Sequence, residues 1–255
     1  MRVHRLARRA FLGAAVMGGV WLVLAISAGS AGAQSINIEL GEGAGLTERA
    51  IQLVALITVL SLAPSILVMV TSFTRIVVVL SLLRTAIGLQ TAPPNSVMIA
   101  LALFLTAYIM APAFQTAYDD GIRPLVDQEI EIDEAFQRSV APFRTFMLGQ
   151  VREKDLALFS DMAQAEQPAN PEQVELRVLI PAFMISELRR AFEIGFLLFI
   201  PFIVIDMVVA SILMSMGMMM LPPIIISLPF KLIFFVLVDG WSLVAGSLVR
   251  SFGMG

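Results

Sequence analysis

The sequence contains no cysteine, and its only histidine is His4. These absences exclude disulfides, thiol nucleophiles, Cys/His zinc sites and histidine-dependent triads from everything beyond the first few residues. Charge is scarce as well, at 15% of the 255 residues, where ordinary globular chains carry about 25%. The 20 acidic and 17 basic residues leave a net charge of -3, so no basic field exists to hold nucleic acid. Apolar residues fill the sequence instead, at 58% with a mean hydropathy of +0.87, which is the composition of a membrane protein.

Arg2, Arg5, Arg8 and Arg9 precede an uncharged apolar stretch from Ala10 to Ile26, and small residues then lead to Ala31-Gly32-Ala33. This three-part anatomy predicts a secretory signal peptide over residues 1–33, cut after Ala33. Arg8-Arg9-Ala10-Phe11-Leu12 also has the look of a twin-arginine signal, but the long apolar core and the polytopic remainder favour the ordinary secretory route. An uncleaved signal anchor is the alternative.

Beyond the leader, charge-free windows place helices better than periodicity does, because a helix that is apolar all round has no useful moment. Three such windows run from Ala50 to Thr74, Thr85 to Tyr118 and Met207 to Lys231; a fourth, from Ala191 to Ala210, contains Glu193 and Asp206. With Pro93-Pro94, Pro112 and Pro222-Pro223 as breakers, they predict an all-α polytopic membrane protein with four hydrophobic helices near 50–73, 95–111, 187–213 and 224–249. The organisation expected is a signal peptide (1–33), an N-terminal segment with a first hydrophobic hairpin (34–112), a small helical periplasmic domain (113–186) and a second hairpin with a Met-rich turn (187–255).

The 71–95 connection carries Arg75 and Arg84 and no acid, which marks it as cytoplasmic and puts 113–186 on the outer face. Helical spacing recurs there through Glu129 to Gln150 and Glu153 to Ala165, and Asn170-Pro171 is placed to start a further helix. Glu129, Glu131, Asp133 and Glu134 lack the glycine and ligand spacing of a calcium loop, so they read as a solvated helix face. Gly41, Gly43 and Gly45 form no phosphate loop, and neither a metal nor a cofactor site is visible.

Two features remain. Six of the 15 methionines fall between Met207 and Met220, ahead of Pro222-Pro223, and composition alone reads this as a Met-rich turn between two hydrophobic helices. Glu193, Asp206, Lys231 and Asp239 are charges within apolar stretches, which makes each a candidate proton site or half of a buried pair. Asp206 and Lys231 lie at similar distances from the turn, so an antiparallel hairpin brings them to one depth and structural pairing is the favoured reading.

The segments Ser61-Leu62-Ala63-Pro64-Ser65-Ile66-Leu67-Val68-Met69-Val70-Thr71-Ser72-Phe73-Thr74-Arg75, Leu89-Gln90-Thr91-Ala92-Pro93-Pro94-Asn95, Pro181-Ala182-Phe183-Met184-Ile185-Ser186-Glu187-Leu188 and Leu228-Pro229-Phe230-Lys231-Leu232-Ile233-Phe234-Phe235-Val236-Leu237-Val238-Asp239-Gly240-Trp241 occur in that order. Together they closely resemble the FliP family, core membrane components of the flagellar type III export apparatus. The resemblance covers about 46–250 and is weakest between about 113 and 175. It implies a non-enzymatic, channel-forming subunit in the bacterial inner membrane, assembled as a pentameric ring with FliR and FliQ above FlhA and FlhB in the flagellar basal body. Unfolded flagellar subunits pass through such a gate. It also implies a methionine gasket at Met218, Met219 and Met220, with Met214, Met216, Pro222 and Pro223 in the supporting turn.

A proton-coupled membrane transporter using Glu193, Asp206 and Asp239 is the competing class, but the two halves of the chain share no visible repeat. An intramembrane hydrolase lacks a nucleophile and base pair. If the leader is cleaved, N-terminal sequencing of the protein purified from membranes reads Gln34 first; recovery of Met1 or Arg2 instead would establish the signal anchor.

Overall fold

The computed structural model describes residues 46–164, 174–218 and 221–253. The chain divides into two units, residues 1–56 and 57–255. The described part of the first is the start of helix α1 (Leu46–Val70), on which Ile51, Val54 and Leu56 are exposed. Every regular element among the described residues is a helix, and none is a strand.

In the second unit, α1 is followed across an 82° bend by α2 (Phe73–Ile87). Thr71 at this bend turns its hydroxyl back onto the Leu67 carbonyl at 2.7 Å and accepts from the Phe73 N–H at 3.4 Å, so the side chain takes over backbone groups that the break leaves open. Helix α2 ends in a left-handed Gly88, whose N–H and that of Leu89 reach back to the carbonyls of Thr85 and Arg84. Helix α3 (Asn95–Ala117) starts immediately after Pro93-Pro94 and continues through a π-turn (Tyr118–Ile122) into α4 (Arg123–Val126). Pro124, which has no N–H to give, lies two residues past the π-turn. Next come α5 (Ile132–Gln150), α6 (Glu153–Met162), the 40-residue α7 (Leu176–Ser215), α8 (Pro223–Leu237) and, after a 64° bend, α9 (Gly240–Arg250).

Two rods, Asn95–Val126 and Leu176–Ser215, are long and apolar enough to cross a membrane, and up to four spans result if each bent pair counts as one. This is the all-α membrane architecture expected from composition, but the boundaries differ in instructive ways. The 71–95 connection is largely the helix α2, and Arg75 within it is fully buried, so it is not an exposed loop charge. The second hydrophobic helix does not stop at 111: Pro112 sits inside α3. The third begins at Leu176, eleven residues before 187, with Pro181 inside it, so the 186/187 boundary falls within a continuous helix. Residues 113–186 accordingly pack against α2, α3 and α7. The fourth is broken at Asp239, whose left-handed backbone (φ 50°) starts α9 in a new direction. Asn170 and Pro171 lie outside the described residues, and Glu175 occupies the N-cap of α7.

The main core joins α2 to α3, α7, α8 and α9 through Ile76, Leu80, Leu83, Ala102, Ala191 and Leu248. A second core gathers Val70, Met147, Val178, Leu179 and Phe183 where α5 and α6 meet the start of α7. The contact between α2 and α7 is the most extensive of all, and it needs a glycine: a Cβ on Gly195 would stand 2.3 Å from Leu82 Cδ1. Gly195→Ala therefore forces Leu82 off its rotamer at about 1–3 kcal/mol. Thermal unfolding in detergent should show a drop of roughly 2–4 °C per kcal/mol. An unchanged midpoint would mean that Leu82 moves aside freely.

Candidate functional site

The α7–α8 hairpin carries most of the residues singled out in the sequence. Helix α7 terminates at Met216 and Gly217 with the Gly217 N–H on the Met214 carbonyl at 3.1 Å and the Met218 N–H on the Leu213 carbonyl at 3.0 Å. That is a Schellman motif, made possible by the left-handed φ of 73° at Gly217. The glycine, and not the Pro222-Pro223 pair, stops α7; Pro222 caps α8 and Pro223 occupies its first position, where a missing N–H costs nothing. Met214, Met216 and Met218 are exposed around this turn, while Met219 and Met220 lie outside the described residues, as does Ala33.

One helical stretch below the turn, the structure brings Asp206 and Lys231 together. Lys231 Nζ stands 2.7 Å from Asp206 Oδ2, and the Ser227 hydroxyl donates to Asp206 Oδ1 at 2.5 Å. Lys231 is buried and also donates to the carbonyl of Ala86 at 3.4 Å, in the last turn of α2. A cation there meets the negative end of the α2 dipole, so one ammonium joins three helices. The flank beside this pair is an apolar groove of about 460 Å³ lined by Val204, Val208 and Ile212 of α7 and Ile226, Phe230 and Phe234 of α8.

Glu193 and Asp239 are not buried charges. Glu193 is exposed on α7 and accepts from Arg189 Nε, one turn away, at 3.0 Å. Asp239 is exposed at the α8–α9 break, where its carbonyl starts the next helix by accepting from the Leu243 N–H. Depth in a hydropathy window does not establish depth in a fold, because a helix flank can face outward along its whole length.

Sequence reasoning missed the most heavily bonded group. Arg75 of α2 is fully buried, as is Glu187 of α7. Its Nε donates to Glu187 Oε2 at 2.8 Å and its Nη2 to Glu187 Oε1, forming a two-pronged ion pair. Nη2 also donates to Gln150 Oε1 at 2.9 Å, and Nη1 to the carbonyl and hydroxyl of Ser251, both at 3.0 Å. The Phe252 ring closes the site, with its centroid 3.7 Å from Arg75 Cζ. Both charges were present in the recognisable strings, but the pairing spans 112 residues and no local period signals it.

Beside Glu187, the buried Ser186 hydroxyl donates to Asp155 Oδ2 at 2.6 Å and accepts the Arg152 N–H at 3.1 Å. Arg152 grips both oxygens of Asp155 at 2.8 Å. Burial alone would raise the Asp155 carboxyl, but the Ser186 and Arg152 hydrogen bonds outweigh it and hold the group below the ordinary carboxylate range. Among the described residues, no group of three His, Cys, Asp or Glu side chains is arranged to hold a metal ion.

Removing Arg75 strands a buried carboxylate, so Arg75→Ala should destabilise the folded chain by about 3–5 kcal/mol. Arg75→Lys keeps the charge but supplies three donors in place of a five-donor fork, so its loss should fall between alanine and wild type. Thermal unfolding in detergent checks the order; a lysine variant as stable as wild type would show that charge alone suffices.

A model of the FliP family matches residues 56–248. The flagellar biosynthetic protein FliP of Caulobacter vibrioides is 67% identical over 235 residues, covering 92% of this chain and 88% of that protein. The FliP proteins of Bacillus subtilis and Aquifex aeolicus are 54% and 51% identical, over 79% and 90% of this chain and 91% and 97% of their own lengths. With the match running from α1 to α9 and so including the hairpin and both buried ion pairs, this chain belongs to the FliP family.

Proposed function

We propose that this chain is a channel-forming core subunit of the flagellar type III protein export gate in the bacterial inner membrane, conducting unfolded flagellar subunits. The role is non-enzymatic. The observation that carries this reading is the α7–α8 hairpin: the Asp206–Lys231 pair is held between its two helices, the flank beside that pair is apolar, and an exposed methionine turn stands at its tip. A subunit of this kind is completed by lateral neighbours, as in a ring of five copies with FliR and FliQ, above FlhA and FlhB. Residues 113–186 face the periplasm in this arrangement.

The methionines supply the seal. A barrier to ions that still yields to any unfolded sequence needs side chains that are apolar, unbranched and tolerant of irregular contacts, which thioethers are and charged or β-branched groups are not. A proton-coupled transporter is less well supported, because Asp206 is held by Lys231 and Ser227, and Glu193 is held by Arg189.

Conductance of the purified complex in planar bilayers tests the reading. Replacing Met218, Met219 and Met220 together by alanine should let the complex assemble yet leak small ions when closed. An unchanged closed-state conductance would return this segment to a Met-rich turn without a gating role.

A further inference from the structure

We propose that the cleft at the α8–α9 break is a lipid-binding site: an acyl chain enters the apolar cavity beside Gly240, and an ammonium-bearing headgroup, as in phosphatidylethanolamine, rests on the Asp239 carboxylate next to Trp241. The site uses residues that the channel reading leaves without a role, and it stands or falls independently of that reading.

The break makes the cavity. Helix α8 stops at Leu237, Asp239 takes a left-handed backbone (φ 50°), and α9 leaves at 64°. Where the two helices diverge, a cavity of about 230 Å³ remains between them and the α2–α7 core. Leu83 of α2, Leu198 and Phe202 of α7, Phe235 of α8 and Leu243 of α9 stand in its wall. None of the lining side chains carries a hydrogen-bonding group, so the occupant has to be apolar. A dry apolar cavity of about 150 Å³ already takes up benzene, so this one has room for part of an acyl chain. Leu83 and Phe202 are buried, whereas Leu243 is 54% exposed, so the floor lies towards the core and the mouth beside Asp239 and Trp241.

The mouth carries a charge that the chain does not neutralise. Asp239 is exposed at the N-cap of α9, yet its side chain makes no capping hydrogen bond, and among the described residues it forms no ion pair. It is the only charged residue between Lys231 and Arg250, and Lys231 is held by Asp206. A lone carboxylate in so apolar a stretch is costly unless a cation meets it. A left-handed backbone at a residue other than glycine adds strain, which points to a use for the side chain. The cation has to come from outside the chain. A lipid with an ammonium headgroup supplies both parts in one molecule, an apolar chain for the cavity and a positive charge for Asp239. Trp241, held edge to face by Phe235 with ring centroids 5.4 Å apart, adds an aromatic ring for the same ammonium and belongs to the residue type that favours the headgroup level. An anionic headgroup would meet the carboxylate with like charge and is selected against.

The test uses the full-length chain with Trp21→Phe, which leaves Trp241 as its one tryptophan. The protein is placed in vesicles of equal parts phosphatidylethanolamine and phosphatidylglycerol, with bromine on the acyl chains of one lipid or of the other. Brominated phosphatidylethanolamine should quench Trp241 about threefold more strongly than brominated phosphatidylglycerol, the preference that one exposed ion pair supports. Asp239→Gly, which suits the left-handed backbone, and Asp239→Asn should both bring the two lipids to equal quenching. Leu243→Phe, which fills the mouth from an exposed position, should weaken quenching by both. Equal quenching by the two lipids in the parent chain would overturn the proposal. So would a preference that survives both Asp239 substitutions, or quenching that Leu243→Phe leaves unchanged. Quenching by neither lipid would mean that polypeptide covers the cleft, which overturns it as well. The conductance of the methionine variant bears on the channel reading alone.

Discussion

The guanidinium of Arg75 has five N–H bonds, and acceptors from three other parts of the chain meet them: Glu187 on α7, Gln150 at the end of α5, and Ser251 just past α9. No other group in the described residues links so many segments, and none is more deeply buried. Much of the remaining architecture follows from keeping this cation satisfied. Helix α2 must bend 82° away from α1 to present it, α7 must begin early enough to carry Glu187 past it, and the C-terminal turn must fold back to cover it with Phe252. A buried ion pair adds little net stability over a well-packed apolar substitute, but it penalises every arrangement that leaves one partner alone. In a chain this hydrophobic, where apolar helices pack acceptably in many registers, that penalty selects one of them.

The same logic repeats at two other levels of α7. Asp155, Ser186 and Arg152 fix the start of α6 against it, and Asp206, Ser227 and Lys231 fix α8. In both cases a serine hydroxyl completes the carboxylate's shell, and in the second the cation also serves a helix C-terminus. The three networks space polar cross-links along a helix that otherwise offers its neighbours only aliphatic and aromatic surface.

The elements that were legible from the sequence are those governed by local chemistry. Pro93-Pro94 marks the start of α3, and the 3.6 spacing marks α5 and α6. The Asp206–Lys231 pair was legible because a hairpin places residues equidistant from its turn at equal depth. What was misread depended on tertiary context. Arg75 and Arg84 interrupt a hydropathy window and so hid α2, although one is paired internally and the other holds Asn95. Pro112 looks like a breaker but lies inside a helix. Glu193 and Asp239 look buried because their neighbours in sequence are apolar, while their own flanks face outward. Windows average over a helix's circumference, and function here is divided around it.

The length of α7 carries a consequence of its own. Its 40 residues make a rod of about 60 Å at 1.5 Å per residue, and the hydrocarbon core of a bilayer is only about 30 Å thick. Upright or tilted at ordinary angles, such a rod projects well beyond the lipid, yet its apolar flank does not end where the lipid would. The start of that length is wrapped by α5 and α6 of the same chain, while Arg177, Arg189 and Glu193 point outward from it, so those two short helices serve, in effect, as part of its solvent.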